Sequence, residues 1–278
     1  MKELAYYNGV VTPYDAASVP LSDRALFFGD AVYDVIVGRG QKVYQLEEHL
    51  ERLFLNAERI GLVNHPSEAD ISDAVSSLLE DADADDFLLY VQLSGDGKRR
   101  GHCRDNSEVN LMISLTECKL PDTLGEIKAI TLPDRRHGMC DVKTTNLLAA
   151  ILSVEEAQRR RADIAIFQKG DTITECSYAN ISLLKDGKLI THPLDSDILP
   201  GITQLNLIRA AKKLGIPCLS KMFSKDEMYS ADAVMITSTT KLIKLCTEID
   251  GIPTLSPARD TVKLLFDSLR QELYSKIG

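Results

Sequence analysis

The sequence predicts an α/β (α+β) protein with two domains, because short hydrophobic segments typical of strands alternate with amphipathic segments typical of helices. The pattern is interrupted by the break at residues 119–122, which contains Pro121. Domain boundaries fall at breaks of this kind. We therefore predict an N-terminal α/β domain over residues 1–120 and a C-terminal domain over residues 121–278.

The N-terminal domain is predicted to contain two amphipathic helices after its first strands. Between residues 46 and 62, hydrophobic residues recur at helical spacing and charged residues take the other positions. A second helix begins near Pro66 and ends in the acidic run 80–86, which we interpret as a solvated turn. Residues 87–93 and 109–115 then have the character of paired strands that a polar loop joins.

The C-terminal domain is predicted to combine short strands with three helices. The helices are expected at residues 145–161, 203–214 and 257–276. Ser224 and Glu227 have the spacing of a capping box, which indicates a further helix start. The strands are expected at residues 127–132, 164–167, 181–184, 189–191 and 233–237.

Composition limits the function classes. The chain has 278 residues, of which 44% are hydrophobic and 26% are charged, and a formal charge of −9. Binding to phosphodiester backbones depends on clustered lysine and arginine, so we expect no nucleic-acid partner. No segment has the length or apolar character of a membrane span or a signal peptide, so we expect no membrane partner and a cytoplasmic protein.

Cysteines and histidines give no sign of a metal site. The six cysteines lack CxxC pairing, so we expect free thiols, most of them buried. The histidines have no metal-ligand spacing and are interpreted as structural or surface residues; this group is His49, His65, His137 and His192.

Lys143 is the first candidate for chemistry. It lies in a mostly uncharged run, and Glu175 follows 32 positions later. A lysine among apolar and small residues loses hydration, which disfavours the ammonium form and exposes a nucleophilic amine. Such an amine can form a Schiff base with an aldehyde cofactor. The alternative is a solvated lysine at a strand end.

Two segments have the character of a phosphate site. In the first, Leu199, Gly201, Ile202 and Thr203 lead directly into a predicted helix, whose first amides bind anions. In the second, Ser238 and Thr239 follow a predicted strand with hydroxyls and amides available. A helix start of this type is more often a simple cap, so each segment becomes specific only beside Lys143 and Glu175.

Seven segments together carry a resemblance over nearly the whole chain: Ser22–Ala25, Gly29–Tyr33, Glu48–Leu53, Cys140–Leu148, Thr174–Glu175, Leu199–Thr203 and Thr237–Thr240. They resemble the fold-type IV enzymes that use pyridoxal phosphate. This family comprises branched-chain and D-amino-acid aminotransferases and aminodeoxychorismate lyases. The resemblance implies a smaller N-terminal α/β domain and a larger C-terminal pseudo-barrel domain.

The resemblance also implies pyridoxal 5′-phosphate as the cofactor. Lys143 would form the Schiff base and, once the amino substrate releases it, move the proton at the substrate α-carbon. Glu175 would face the pyridine nitrogen and keep it protonated. Arg52 would bind the phosphate, although an arginine on a polar helix face is ordinarily solvated. The other implied cofactor contacts are Leu199, Gly201, Ile202, Thr203, Ser238 and Thr239.

Within the family, the chain is most similar to the branch that acts on D-amino acids, the D-alanine aminotransferases. Tyr33, Arg100 and His102 match the residues of that branch that bind the substrate carboxylate, a role suited to an arginine fork and a hydroxyl. Arg100 and His102 would reach the partner subunit's site, which implies a homodimer. The expected reaction moves the amino group of D-alanine or a close analogue to a 2-oxo acid such as 2-oxoglutarate. A solvated loop is the alternative for Arg100 and His102.

Two segments depart from that branch and affect side-chain preference. After Glu175, the related sequences carry a glycine and serines, whereas this chain has residues 176–180 with Tyr178 among them. Residues 37–40 also differ. Three alternatives remain: an L-branched-chain aminotransferase, an aminodeoxychorismate lyase, and a non-catalytic module that binds a phosphate ligand.

Overall fold

The computed structural model describes residues 1–83, 85–97, 99–104, 108–254 and 256–278, which form two compact units. Part of the predicted polar loop, Asp105–Ser107, lies outside the described residues. The first unit comprises Met1–Leu120, Val142–Asn146 and Leu273–Gly278, and the second comprises Pro121–Asp141 and Leu147–Glu272. The division into domains after residue 120 stays a prediction, but the first unit also contains two later segments.

The first unit is built on an antiparallel sheet. Its strands are β1 (Leu4–Tyr7), β2 (Val10–Pro13), β3 (Ala31–Arg39), β4 (Lys42–Val43), β5 (Asp86–Gly95) and β6 (Val109–Glu117). They lie in the order β2-β1-β6-β5-β3-β4, and neighbouring strands are antiparallel. Its helices are α1 (Ala25–Phe28), α2 (Leu46–Arg59) and α3 (Glu68–Ala82).

Helix α2 packs its apolar face into the core of this unit. Leu50 and Leu53 are fully buried there, and truncation of a leucine in such a position costs about 2–5 kcal/mol. The two helices and the strand pair predicted for this region are confirmed. The acidic run is only partly a turn, because α3 continues to Ala82 and β5 begins at Asp86.

The second unit is built on a mixed sheet. Its strands are β7 (Gly125–Pro133), β8 (Ile164–Lys169), β9 (Thr172–Cys176), β10 (Asn180–Lys185), β11 (Lys188–Thr191), β12 (Cys218–Ser220), β13 (Phe223–Ser224), β14 (Ala233–Ser238), β15 (Leu242–Ile249) and β16 (Ile252–Pro253). Its order is β12-β11-β10-β14-β15-β7-β8-β9-β13, with β16 on β15. The helices are α4 (Leu148–Arg159), α5 (Ile202–Lys213), α6 (Lys225–Tyr229) and α7 (Arg259–Ile277), of which the part of α7 from Leu273 onward is counted in the first unit.

The order of this sheet explains its pseudo-barrel character. Its two terminal strands, β12 and β13, are separated in sequence by only Lys221 and Met222. Such a short connection brings the two edges of the sheet together. The predicted fold class, with two units of mixed α and β structure, is confirmed. None of the helices in the described residues is both long and apolar enough to cross a membrane.

Several elements differ from the sequence-based prediction, among them two strands and the start of one helix. Strands β9 and β15 were not predicted, because Thr and charged residues interrupt their hydrophobic runs. Helix α4 begins at Leu148 rather than at Thr145. The preceding residues cannot join the helix, because Val142–Asn146 runs along the start of β3, where the Thr145 N–H donates to the Ala31 carbonyl at 3.1 Å.

Candidate active site

The candidate residues fall into two sets, one in each compact unit. The first unit contains the expected amine, the arginine of α2 and the carboxylate-binding candidates, namely Lys143, Arg52, Tyr33, Arg100 and His102. The second unit contains the remaining cofactor candidates, namely Glu175, Leu199, Gly201, Ile202, Thr203, Ser238 and Thr239. Within each unit, several of these residues are in direct contact.

Lys143 lies beside Tyr33 in the first unit. The Tyr33 N–H donates to the Lys143 carbonyl at 3.0 Å, and Thr144 forms an antiparallel bridge with Val32. Opposed residues of antiparallel strands place their side chains on one face. The Lys143 Nζ accordingly lies 4.5 Å from the centroid of the Tyr33 ring. The sheet therefore holds the half-buried amine over an aromatic face.

Tyr90 on β5 fixes the Tyr33 ring in turn. The two rings stack with centroids 5.1 Å apart and planes 20° apart. The Tyr90 hydroxyl donates to Gln92 at 2.7 Å. Burial, and then the neighbouring Tyr33, raises the pKa of Tyr90, so its hydroxyl stays protonated. The position of the Tyr33 hydroxyl is thus set by the sheet and not by a loop.

Arg52 on α2 forms a buried ion pair with Asp34 on β3. Its Nε donates to Oδ2 at 2.8 Å and its Nη2 to Oδ1 at 2.7 Å, and the two side chains are 10% and 0% exposed. His49 lies about one helical turn earlier and hydrogen-bonds Asp34 Oδ1 at 2.7 Å. Arg52 is therefore not a solvated residue of the polar helix face. Asp34 was not singled out from the sequence.

The charge of Asp34 gives Arg52 a defined position. Burial alone would raise the pKa of the Asp34 carboxyl, because a low-dielectric surrounding disfavours the charged form. The Arg52 charge and the hydrogen bonds from His49 and Arg52 outweigh burial and hold that pKa below its usual value. Asp34 is therefore ionised at neutral pH, and the bidentate pair orients the guanidinium.

Arg100 and His102 meet at one aromatic residue of the first unit. The guanidinium carbon of Arg100 lies 5.2 Å from the centroid of the Phe28 ring, and the His102 ring lies 5.8 Å from it. Both side chains are exposed. The structure thus brings the two loop candidates together, with their polar ends accessible to an anion.

Glu175 on β9 is the buried carboxylate of the second unit, with 5% of its surface exposed. Arg136 Nη1 donates to its Oε1. Its Oε2 accepts from Asn180 Nδ2 at 3.0 Å and from the Leu199 N–H at 3.1 Å. Three donors, one of them a cation, favour the ionised form of a carboxyl group. Leu199 thus supplies its amide to Glu175.

Arg136 is a site residue that the sequence analysis missed. Its Nη2 donates to Asp134 Oδ2 at 2.6 Å, its Nε donates to Oδ1 at 3.0 Å, and its guanidinium carbon lies 4.7 Å from the Phe167 ring centroid. Burial alone would lower the pKa of Arg136. The hydrogen bonds to Asp134 and the charge of Glu175 outweigh burial, so the net effect is to raise this pKa above its usual value. Arg136 therefore stays charged. Its sequence signal was a run of three charged residues, 134–136, directly after the strand β7.

The start of α5 has the features of a phosphate site. Gly201 is its N-cap and gives no side-chain cap, which leaves the first amides of the helix, those of Ile202 and Thr203, for another acceptor. Both of these residues are buried. The 12-residue helix places its positive end here.

Asn180 on β10 connects the parts of the second set. Its Nδ2 donates both to Glu175 and, at 2.8 Å, to the Leu199 carbonyl. A Cβ on Gly201 would collide with Asn180 Oδ1, so only glycine allows this approach. Asn180 also pairs with Thr237 at the end of β14, next to Ser238. The carboxylate, the start of α5 and the β14 end therefore lie at one place.

Thr237 leaves a polar atom for a ligand at this place. Its Oγ1 is buried and has no hydrogen-bond partner among the residues that the structure describes. The neighbouring Ser238 and Thr239 are half-buried at the end of β14. Unpaired buried hydroxyls are uncommon and point to a group that binds there.

The cysteines correct one expectation. Cys176 and Cys246 are buried, whereas the other four are half-buried or exposed, so the prediction that most are buried is wrong. All six are free thiols, as expected. Burial raises the pKa of Cys140 to about 11, with partial relief from Arg136, so this thiol beside the Lys143 segment is protonated and a poor nucleophile.

Comparison with known proteins places this geometry in a family. The model of the amino-transferase class IV family matches residues 31–249. The chain belongs to the class IV aminotransferases. The two candidate sets described above lie within the matched residues, with the matched region covering β3 to the end of β15.

Relatives of this aminotransferase extend along most of the chain. It is 33% identical to a D-alanine aminotransferase of Listeria monocytogenes serotype 1/2a over 92% of this chain and 90% of that one. It is 32% identical to a D-alanine aminotransferase of Staphylococcus epidermidis over 88% and 89%. A branched-chain aminotransferase from Thermoproteus uzoniensis, solved with norvaline, has 25% identity and a TM-score of 0.89 and covers 99% and 96%. A putative 4-amino-4-deoxychorismate lyase from Legionella pneumophila has 23% identity and a TM-score of 0.84 and covers 93% and 97%.

The residues of this class IV aminotransferase fit its cofactor, pyridoxal phosphate. The second unit offers an ionised carboxylate for a pyridine nitrogen, and helix amides with the orphaned Thr237 hydroxyl for a phosphate. The first unit offers a half-buried amine and an oriented arginine. Tyr178, which the sequence analysis singled out, is 57% exposed in the turn between β9 and β10.

Proposed function

We propose that this aminotransferase moves the amino group of D-amino acids, D-alanine or a close analogue, to 2-oxo acids such as 2-oxoglutarate. The proposal assigns the chemistry to Lys143, the cofactor contacts to Arg52, Glu175 and the α5 start, and the substrate carboxylate to Tyr33, Arg100 and His102. The remaining proposed cofactor contacts are Leu199, Gly201, Ile202, Thr203, Ser238 and Thr239.

The observation that carries the proposal is the contact between Lys143 and Tyr33. The amine lies 4.5 Å from the ring whose hydroxyl is the proposed carboxylate donor. An α-amino acid carries its carboxylate one bond from the α-carbon. An amine and a hydroxyl that donates to the carboxylate, held side by side, are therefore suited to bind the substrate and to move its α-proton.

Glu175 and Lys143 have separate roles in the proposed reaction. When bound, pyridoxal phosphate supplies an aldehyde that takes up the amino group and a ring that accepts the electron pair of the α-carbon. Glu175, which Arg136 and Asn180 keep in place, would hold the pyridine nitrogen protonated. Lys143 Nζ would move the proton from the substrate α-carbon to the aldehyde carbon of the cofactor, C4′, and in the opposite direction when the 2-oxo acid takes up the amino group.

The choice of D-amino acids is supported by the curated relatives, which are D-alanine aminotransferases. The solved branched-chain aminotransferase supports the second candidate, a branched-chain aminotransferase, for which we expect L-amino acids as substrates. The handedness depends on which side of the α-carbon the carboxylate donors occupy, because the opposite side would present the other enantiomer's hydrogen to Lys143.

A half-reaction without an acceptor tests this choice. Purified enzyme with its cofactor is mixed with D-alanine and, separately, with L-leucine, and the visible absorption band of the bound cofactor is followed. Loss of the band with D-alanine is expected. Loss with L-leucine alone would reject D-specificity, and consumption of aminodeoxychorismate without a 2-oxo acid would favour the lyase. Lack of both the band and borohydride-fixed cofactor on Lys143 would favour a non-catalytic module.

We also propose a cytoplasmic homodimer in which Arg100 and His102 act in the partner subunit's site. Hybrid dimers test this arrangement. Lys143→Ala and Arg100→Ala homodimers are each expected to lose most of their turnover. Mixing them should restore one intact site per hybrid dimer if the two residues act in trans. No recovery on mixing, with subunit exchange shown by mass spectrometry, would reject it.

A further inference from the structure

We propose that Arg24 is a positioning residue for substrate binding: together with Asp30 and Arg104, it fixes the backbone of residues 99–104 so that Arg100 and His102 are presented to the substrate carboxylate. The inference rests on the proposed function, which gives Arg100 and His102 that role. Arg24 precedes α1, lies in the first unit and is 6% exposed.

The Arg24 guanidinium is directed at the backbone of this segment. Nη1 donates to the Gly101 carbonyl at 2.7 Å and to the Cys103 carbonyl at 3.4 Å, and Nη2 donates to the His102 carbonyl at 3.2 Å. Three consecutive carbonyls therefore share one rigid, planar cation. A loop with this many bonds to one buried donor has few alternative conformations.

Asp30 holds this cation in place. Arg24 Nε donates to Asp30 Oδ2 at 2.7 Å, and their side chains are 7% and 12% exposed. Arg104, at the end of the segment, donates to both Asp30 oxygens and to the Ile60 carbonyl at 2.6 Å. Burial raises the pKa of Asp30, but the hydrogen bonds from Arg104 and Arg24 outweigh it and lower that pKa. Asp30 thus holds the segment in two ways, directly through Arg104 at its end and through Arg24 at the carbonyls of residues 101–103.

The surrounding backbone is built around this arrangement. The Arg24 N–H donates to the Gly95 carbonyl at 2.9 Å, and the Gly95 N–H donates to the Asp30 carbonyl at 3.1 Å. A Cβ on residue 95 would lie 3.1 Å from Asp30 Oδ2 and 3.3 Å from Arg24 Cδ. Glycine at this position lets the two side chains approach the sheet.

The Phe28 ring connects Arg24 to Arg100 and His102, the two residues proposed to bind the substrate carboxylate. The Arg24 guanidinium carbon lies 4.6 Å from the Phe28 ring centroid, and Arg100 and His102 contact the same ring. A shift of Arg24 would therefore move both the backbone and the aromatic contact of the two ligands. Displacement by about 1 Å of a positioning group can cost up to ~100-fold in rate.

The test compares Arg24→Gln with Arg259→Gln in the holoenzyme. Arg259 is the control, because it forms an ion pair with Glu126 and contacts no residue of segment 99–104 in the described contacts. We measure KM and kcat for D-alanine and the inhibition constant of propionate, a carboxylate without an amino group. For Arg24→Gln we expect KM and the propionate constant to rise about tenfold, with kcat changed less than about threefold.

Two further readouts separate positioning from general damage. Cofactor affinity and borohydride fixation on Lys143 do not involve the carboxylate and should be unchanged in Arg24→Gln. Arg24→Lys keeps the charge but not the fork, so its propionate constant should be intermediate; this variant also serves if Arg24→Gln does not fold. Equal losses of cofactor affinity, kcat and propionate binding would reject the positioning role.

A double-mutant cycle tests the positioning role of Arg24 separately from the proposed role of Arg100 and His102 in binding the substrate carboxylate. If Arg24 acts through Arg100 and His102, adding Arg24→Gln to the Arg100→Ala, His102→Ala enzyme should not weaken propionate binding further. An additive loss would reject the inference. If Arg100→Ala itself leaves propionate binding unchanged, the proposed carboxylate role fails. If Arg100→Ala weakens binding and Arg24→Gln does not, only the inference about Arg24 fails.

Discussion

The Lys143 amine lies 4.5 Å from the Tyr33 ring centroid, and the main chains of the two residues are joined by a hydrogen bond of 3.0 Å. Five residues around Lys143 belong to the first compact unit, although their neighbours in sequence belong to the second. The segment that carries the expected amine thus pairs with β3, the strand that carries the hydroxyl proposed to bind the substrate carboxylate. Main-chain hydrogen bonds to Tyr33 and Ala31 hold this segment in place.

Substitution of Tyr33 should separate the roles of its ring and its hydroxyl. Tyr33→Phe keeps the ring beneath Lys143 and the stack on Tyr90 but removes the proposed donor, so KM for D-alanine should rise about tenfold while borohydride still fixes the cofactor on Lys143. Tyr33→Leu also removes the ring and should lower kcat as well. Steady-state kinetics and mass spectrometry of the fixed product measure both effects. Unchanged KM in Tyr33→Phe would remove the hydroxyl from substrate binding.

Neutralising Glu175 should lower kcat more than it weakens cofactor binding. Glu175→Gln keeps the size of the side chain but leaves the buried Arg136 with Asp134 as its remaining carboxylate partner among the described residues. We expect kcat to fall by about 100-fold or more, because an electrostatic partner of the reacting group is lost. The cofactor dissociation constant should rise less than kcat falls. Near-normal turnover in Glu175→Gln would exclude the proposed contact with the pyridine nitrogen.

The sequence allowed the fold to be predicted where a single element carried the signal. The periodicity around Leu50 and Leu53 and the capping residues Ser224 and Glu227 correspond to α2 and α6. The start of α4 could not be predicted, because Thr145 and Asn146 are compatible with a helix, and only their tertiary hydrogen bonds to the carbonyls of Ala31 and Gly29 keep them out of it.

Only those residues of the candidate site that belong to recognisable sequence motifs could be predicted. The motifs identified Lys143 and Glu175, but the residues that hold the site residues in place were missed. Asp34, Arg136 and Asn180 act through contacts across 18, 39 and 5 positions of sequence, and such pairings depend on topology. A charged residue within a buried strand, such as Asp34, was the available signal.

Gly201→Ala should impair the phosphate site more than the fold. The added methyl group would collide with Asn180 Oδ1 and displace the amide that connects Glu175 and the Leu199 carbonyl. We expect the cofactor dissociation constant to rise about tenfold and stability to fall by about 1–3 kcal/mol. Fluorescence titration of the apoenzyme and urea unfolding measure these quantities. Gly170→Ala is the control, because its Cβ would meet nothing within 4 Å although its φ of 61° adds strain. Equal cofactor affinity in the two variants would contradict the proposed site.

The Asp34–Arg52 pair should make stability depend on acid pH. The folded-state pKa of Asp34 lies below its ordinary value of 3.8, so its contribution to stability is present above that value and is lost as the pH falls through it toward the folded pKa. Asp34→Asn leaves Arg52 without this partner and should lower the free energy of unfolding at neutral pH by about 3–5 kcal/mol. This deficit should shrink as the pH is lowered below about 4.

Urea unfolding of the wild type and the Asp34→Asn variant between about pH 7 and pH 3 measures this dependence. Asp267→Asn is the control, because Asp267 forms an exposed ion pair with Lys263 on α7, for which about 0.5 kcal/mol is expected. A deficit in Asp34→Asn that stays constant over the whole range would show that the carboxylate charge is not what stabilises this part of the first unit.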